Sequence, residues 1–169
     1  MTAALPDTLR SERLVLRRPT LADLEAYVAY YTGPRTGGVG GPKLRHIVVE
    51  RFAAMVGQWA LRGYGRYAIT DGGTGFGHAG VMQIDDGDAP ELTWTLWDVS
   101  REGQGYATEA ARAVQDAWHG PDLIVRIDPA NAASLRVAQK LGYRPDPKAP
   151  RPAHDTRDVL TLRQSRGAA

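Results

Sequence analysis

Apolar and polar positions repeat along the chain with two different periods, and the period switches where glycine and proline cluster. Residues 13–18 form a short β-type run closed by Pro19. Thr20 stands where it can cap a helix whose apolar residues Leu21, Leu24, Tyr27, Val28 and Tyr31 recur at helical spacing. Residues 32–42 hold five glycines and two prolines, too many for a helix or strand interior, and predict a mobile loop. A second helix is expected over residues 44–61, with Ile47, Phe52, Met55, Val56 and Trp59 on or near one face and Gly63 as its stop. The pattern then turns to strands at 65–70, 76–84 and 91–97, joined by the tight turns 71–75 and 85–88, which read as an antiparallel meander.

After the third of these strands comes a glycine-containing turn and a helix lined by Ala107, Ala110, Ala111, Val114 and Trp118, stopped at Gly120-Pro121. A strand at 123–127, a turn at 128–131, a helix at 132–141 with Gly142 as C-cap, an irregular proline-rich stretch at 145–152 and a last strand at 158–162 complete the chain. No internal repeat and no long linker interrupt it, so a single domain of the α+β class is expected.

Composition narrows the picture further. A chain of 169 residues can bury a core without staples, and with no cysteine it has neither a disulfide scaffold nor a thiolate metal site. The 21 basic and 19 acidic residues nearly balance, and the arginines are scattered among acids, without the basic run that marks a nucleic-acid arm. Arginine is nonetheless suited to isolated phosphate or carboxylate contacts. Residues 1–7 have no basic-then-apolar leader pattern, and no stretch nears the ~20 apolar residues that cross a bilayer. A cytoplasmic protein without membrane or nucleic-acid partners is therefore expected.

The chemistry concentrates in residues 91–108 and 123–143, which describe strand, glycine turn, helix, strand, turn and helix. In such a unit the crossover is right-handed and ligands bind beyond the carboxyl ends of the strands. The turn Glu102-Gly-Gln-Gly-Tyr-Ala107 places small residues where a helix begins, so its backbone N–H groups either receive a phosphate or pyrophosphate or simply join strand to helix. It is not a Walker loop, since Lys43 follows Pro42 and precedes Leu44, and it is a poor dinucleotide fingerprint, since Thr108 takes the third glycine position.

Residues Glu102-Gly-Gln-Gly-Tyr-Ala-Thr-Glu-Ala110 resemble the acetyl-CoA signature of the GNAT N-acetyltransferases, and Asn131-Ala-Ala-Ser134 leading to Lys140-Leu-Gly-Tyr143 resembles that family's second signature. Residues 11–17 with Asp23, and residues 59–65, are similar to the branch that includes the ribosomal-protein N-terminal acetyltransferases. The resemblance runs from about Leu9 to Leu162. It implies a GNAT-like mixed central sheet of about seven strands with about four helices, in one domain at 9–163 between flexible termini at 1–8 and 164–169.

The same resemblance implies acetyl-CoA as co-substrate, no metal, and an amine acceptor. Gly103, Gln104, Gly105, Tyr106, Ala107 and Thr108 would hold the pyrophosphate, Leu96 and Trp97 would pair with pantetheine, and Asn131 would cap its helix and contact the cofactor. Glu102 departs from the family pattern, because an acid beside a pyrophosphate is unfavourable unless it points to solvent. Without cysteine, direct attack of a primary amine in a ternary complex is the expected route. Glu91 is the candidate base, though a Glu at a strand start also suits a solvated edge. Ser134 is the candidate partner of the departing sulfur, because the tyrosine that other branches use is replaced by Ala138; Tyr143 is a third choice. The histidines 46, 78, 119 and 154 lack ligand spacing, and only His78 sits on a central strand. The acceptor, a protein N-terminus or a small-molecule amine, should lie over the first two helices and residues 32–43. The other reading of the same groove is a non-catalytic acyl-CoA sensor, and the chain is expected as a monomer or homodimer.

Overall fold

The computed structural model describes residues 4–150 and 157–164. In chain order they form β1 (Thr8–Arg10), β2 (Val15–Arg17), a 3-10 turn at Leu21–Asp23, α1 (Leu24–Tyr31), a 3-10 segment at Pro34–Val39, α2 (Arg45–Arg62), β3 (Arg66–Thr70), β4 (Gly77–Met82), β5 (Glu91–Leu96), a 3-10 turn at Val99–Arg101, α3 (Tyr106–Ala117), β6 (Ile124–Ile127), α4 (Ala132–Lys140), β7 (Tyr143–Pro145) and β8 (Leu160–Gln164). The strands make one sheet in the order β1-β2-β3-β4-β5-β6-β8-β7. Every pairing is antiparallel except that of β5 with β6.

Strand alternation divides the core into two layers. On one side of β3, Tyr67 and Ile69 join Leu92 of β5, Ala110, Ala111 and Val114 of α3, and Ala138 of α4. On the other, Ala68 joins Tyr27, Val28 and Tyr31 of α1, Val48, Phe52 and Met55 of α2, and Trp97 just beyond β5. The sheet is thus sandwiched, with α1 and α2 over one face and α3 and α4 over the other. No helix among the described residues is long and apolar enough to cross a membrane.

The structure has eight strands where about seven were expected. The two with no signal of their own, β1 and β7, are three residues each, too short to display a period, and are held by pairing with β2 and β8. Within the stretch 1–8, expected as a flexible terminus, Leu5 and Pro6 are packed onto the fold. Leu5 is buried, its N–H donates to the Gly63 carbonyl at 3.1 Å, and the Tyr67 hydroxyl donates to the Pro6 carbonyl at 2.5 Å. Residues 32–42 are not a plain loop either, since Pro34–Val39 wind into a 3-10 helix with Thr36 fully buried. Expectations for residues 1–3, 151–152, His154 and 165–169 lie outside the described residues.

Asp23 ties the first layer together. It is fully buried and accepts from Arg17 Nη1 and Nη2 at 2.8 and 2.9 Å, from the Thr20 N–H at 2.8 Å and from the Gly75 N–H at 2.9 Å. Burial pushes its carboxyl pKa up, but the Arg17 guanidinium and the two backbone donors outweigh this and hold it below the usual range. The stabilisation is therefore complete at neutral pH and fades as the pH falls through the acidic range. Replacing Asp23 by alanine strands a partly buried guanidinium and two N–H groups, and is expected to cost about 3–5 kcal/mol in urea unfolding at pH 7, with the gap to wild type narrowing toward pH 3.

Candidate functional site

The turn between β5 and α3 is built to present N–H groups. Gly103 and Gly105 both occupy the left-handed region, at φ 71° and 81°, and Gly105 is the N-cap of α3. The first helical hydrogen bond runs from the Glu109 N–H to the Gly105 carbonyl, so no N–H from Gly103 through Thr108 donates to a described residue. Six successive donors stand at the positive end of a twelve-residue helix. Two arginines flank them. Arg13 lies 4.3 Å over the Tyr106 ring and donates to the Gln104 carbonyl at 2.9 Å, while Arg101 pairs with Asp71 at 2.8 Å and lies 4.4 Å over Phe76. Glu109 anchors this corner to the start of the chain. It accepts from the Ser11 hydroxyl at 2.6 Å, the Arg13 N–H at 2.8 Å and Arg13 Nε at 2.7 Å, bonds that outweigh its burial and hold its carboxyl below the usual range.

Beside this turn the sheet opens. β5 and β6 share one register pair, Glu91 with Ile124, and the Ile124 N–H donates to the Pro90 carbonyl at 3.0 Å. Beyond it the parallel strands part, leaving the β6-facing edge of β5 without a partner strand. Alternation assigns that edge to Trp94 and Leu96, because the Trp97 N–H is turned the other way and donates to the Phe76 carbonyl at 2.8 Å. Of the two residues expected to pair with pantetheine, Leu96 therefore has its N–H toward the opening and Trp97 does not. The Trp97 indole is equally committed, donating to His78 Nδ1 at 3.1 Å. His78 is buried among Tyr27, Tyr31 and Trp97, and burial holds its pKa well below the usual value, so it is a neutral member of an aromatic cluster.

The glycine-rich segment spans the mouth of this opening. Arg35 donates to the Trp97 carbonyl at 2.9 Å and the Leu96 carbonyl at 3.5 Å, and pairs with Glu102. Glu102, out of place by family pattern, is thus half-exposed and neutralised by Arg35. On the far side, Gly38 packs so closely on α4 that a Cβ there would stand 2.6 Å from Asn131 Nδ2. Asn131 is the N-cap of α4, its Oδ1 accepting from the Ser134 N–H at 3.1 Å. One helical turn in, the half-buried Ser134 hydroxyl makes no bond to a described residue.

Glu91 is not a solvated edge residue. It is buried on the face covered by α1 and α2, with Arg126 Nη1 3.4 Å from its Oε2. Burial raises its carboxyl pKa to about 7, against the pull of Arg126 and Arg66. Tyr143 is buried in the opposite layer, where burial raises its hydroxyl pKa to about 12 and the oxygen has no partner among the described residues. No three His, Asp or Glu side chains of the described residues gather as a metal-ligand group.

The model of the GNAT acetyltransferase domain matches residues 13–144, most of the chain. The protein belongs to the GNAT acetyltransferase family. An acetyltransferase from Agrobacterium tumefaciens, 35% identical, superposes with a TM-score of 0.85 over 96% of this chain and 95% of that one. A protein described as a GNAT-family acetyltransferase from Bordetella pertussis is 26% identical and superposes with a TM-score of 0.74 over 95% of this chain and all of that one. RimL, a ribosomal-protein alpha-N-acetyltransferase solved in complex with coenzyme A, shares the fold at 18% identity, with a TM-score of 0.71 over 92% of this chain and 96% of that one. No curated protein matches the sequence.

Within this GNAT domain Leu96 and Gly103–Thr108 lie at and beyond the end of β5, Asn131 and Ser134 lie beyond the end of the neighbouring β6, and Glu91 stands where β5 and β6 meet. Sequence reasoning missed Arg13, Arg35, Arg66 and Arg126. Arg35 and Arg13 meet partners 61 to 96 residues away, and Arg126 one 35 away, and no local pattern marks such pairs.

Proposed function

We propose that this GNAT protein is an acetyl-CoA-dependent N-acetyltransferase that passes the acetyl group directly to a primary amine in a ternary complex. The observation that carries the reading is the row of unpaired N–H groups at the start of α3 beside the parting of β5 and β6: one suits a pyrophosphate, the other an extended amide-bearing arm. Gly103–Thr108 bind the pyrophosphate through backbone N–H groups, with Arg13 and Arg101 adding positive charge. Leu96 and, by alternation, Trp94 offer main-chain groups to pantetheine, and Trp97 supports them through His78. Asn131 positions α4, whose Ser134 hydroxyl is free to hydrogen-bond the departing sulfur. Acetyl-CoA supplies the activated acetyl group. Glu91, with a pKa raised to about 7, accepts the amine proton directly or through water near neutral pH.

A non-catalytic acyl-CoA sensor is the rival, favoured by Ala138 at the position of the usual tyrosine. Calorimetric titration with acetyl-CoA and desulfo-CoA, followed by thiol release in the presence of peptide N-termini and small amines, separates the two. Micromolar binding with amine-dependent release is expected. Binding without release under any acceptor would leave the sensor, and no binding up to millimolar would sink both.

A further inference from the structure

On the α1 and α2 face of the sheet, strand register aligns two charged side chains, Arg66 and Arg126, with Glu91. Arg66 of β3 pairs with Gly80, Gly80 with Thr93, and Met82 with Glu91, while Arg126 reaches Glu91 from β6. Gly80 offers no side chain between Arg66 and β5, and Arg66 lies close enough to act electrostatically on Glu91, Tyr27, Tyr31 and His78. Two guanidinium groups therefore attend one carboxylate, and their hydrogen-bonding capacity is far from used. The Arg126 side chain is 10% exposed, and its Nε is buried without a partner. Arg66 Nε is buried in the same state, and the Arg66 guanidinium donates no hydrogen bond to a described residue. Asp88, from the β4–β5 hairpin, lines a shallow recess together with Glu91 and Arg126.

A buried guanidinium N–H without an acceptor is costly, and a planar anion is the partner that satisfies such forks best. The aromatic and imidazole groups around Arg66 supply no anion, since burial keeps Tyr27 and Tyr31 protonated and His78 neutral. Resting on the N-acetyltransferase reading of this site, we infer that the amine acceptor carries its own carboxylate close to the amine, as an amino acid does, and that Arg66 and Arg126 bind that carboxylate while Glu91 faces the amine. The two charges of such an acceptor complement the two signs present. A peptide N-terminus, whose nearest carbonyl is a neutral amide, would leave the guanidinium groups without an anion.

The test compares free L-amino acids with the corresponding amino-acid amides as acceptors, scored as kcat/KM from thiol release. For at least one side chain the free acid is expected to exceed its amide by about tenfold or more, the scale of a charge-assisted hydrogen bond. In Arg66→Gln that ratio should collapse toward one, while Arg66→Lys, which keeps the charge, should retain part of it. Calorimetry with acetyl-CoA on each variant confirms that it is folded and loaded. Amides equal to or better than the acids in every pair, with the enzyme active, would overturn this inference alone. Acetylation of peptide N-termini or simple amines but of neither set would also overturn this inference alone, whereas acetyl-CoA binding with no acetylation of any acceptor would overturn the enzyme reading, and this inference with it.

Discussion

Replacing Glu91 by glutamine is expected to lower kcat by about 10²- to 10⁴-fold, the range for loss of a positioned general base, while the affinity for acetyl-CoA stays at the wild-type value. The two readouts separate because Glu91 lies where β5 and β6 meet, whereas the unpaired N–H groups lie beyond the far end of β5. In wild type, log kcat should rise with unit slope as the pH climbs toward about 7 and then level, because only the ionised carboxyl takes a proton; in the glutamine variant the slope should vanish. The stability effect has its own sign. The folded-state pKa is raised from 4.5 to about 7, so folding favours the protonated form, and the benefit is lost as the pH rises through 7. The Tm difference should therefore shift in favour of Glu91→Gln between pH 4.5 and pH 8, whatever its offset from the loss of Arg126's partner. An unchanged kcat, or a profile still sloping in the variant, removes Glu91 from the base role.

The second large effect is expected at Gly105, where valine should weaken acetyl-CoA binding on the order of 100-fold or more by calorimetry. Space is not the reason, since a Cβ there would meet only Arg13 Nη2, at 3.5 Å. The cause is φ 81°, which costs an L residue roughly 1–2 kcal/mol and a β-branched one more, so the turn relaxes and no longer holds its N–H groups in place. Gly72→Val is the matched control. Gly72 is also left-handed, at φ 108°, with open space around it, but sits in the turn between β3 and β4. It should lose comparable stability and keep the cofactor. Equal loss of binding in both variants would assign the effect to general destabilisation instead of the turn.

Arg35 and Glu102 show how far a local pattern can mislead. An acid next to a turn that resembles a pyrophosphate-binding loop looks like a defect when only neighbours in sequence are considered. The folded chain brings Arg35, 67 residues earlier, onto that carboxylate and onto the carbonyls of Leu96 and Trp97. The loop that carries Arg35 was expected to be mobile because of its glycines, yet it winds into a 3-10 turn and rests on Asn131.

The features legible in the residues alone rest on interactions that are local or periodic. The four helices show in apolar spacing and stops, six of the eight strands in β-type runs bounded by turns, and the N–H cradle in two glycines ahead of a helix, which needs no distant partner to form. The cap at Asn131 belongs to the same class, since donor and acceptor are three residues apart. Tertiary structure decided the rest. The short strands β1 and β7 exist only because β2 and β8 offer them edges. The direction in which Trp97 turns its N–H is set by register with Phe76, and the raised pKa of Glu91 by the layers that bury it beside Arg126. These are long-range effects, because charge, burial and strand register depend on groups that meet only once the sheet has closed around them.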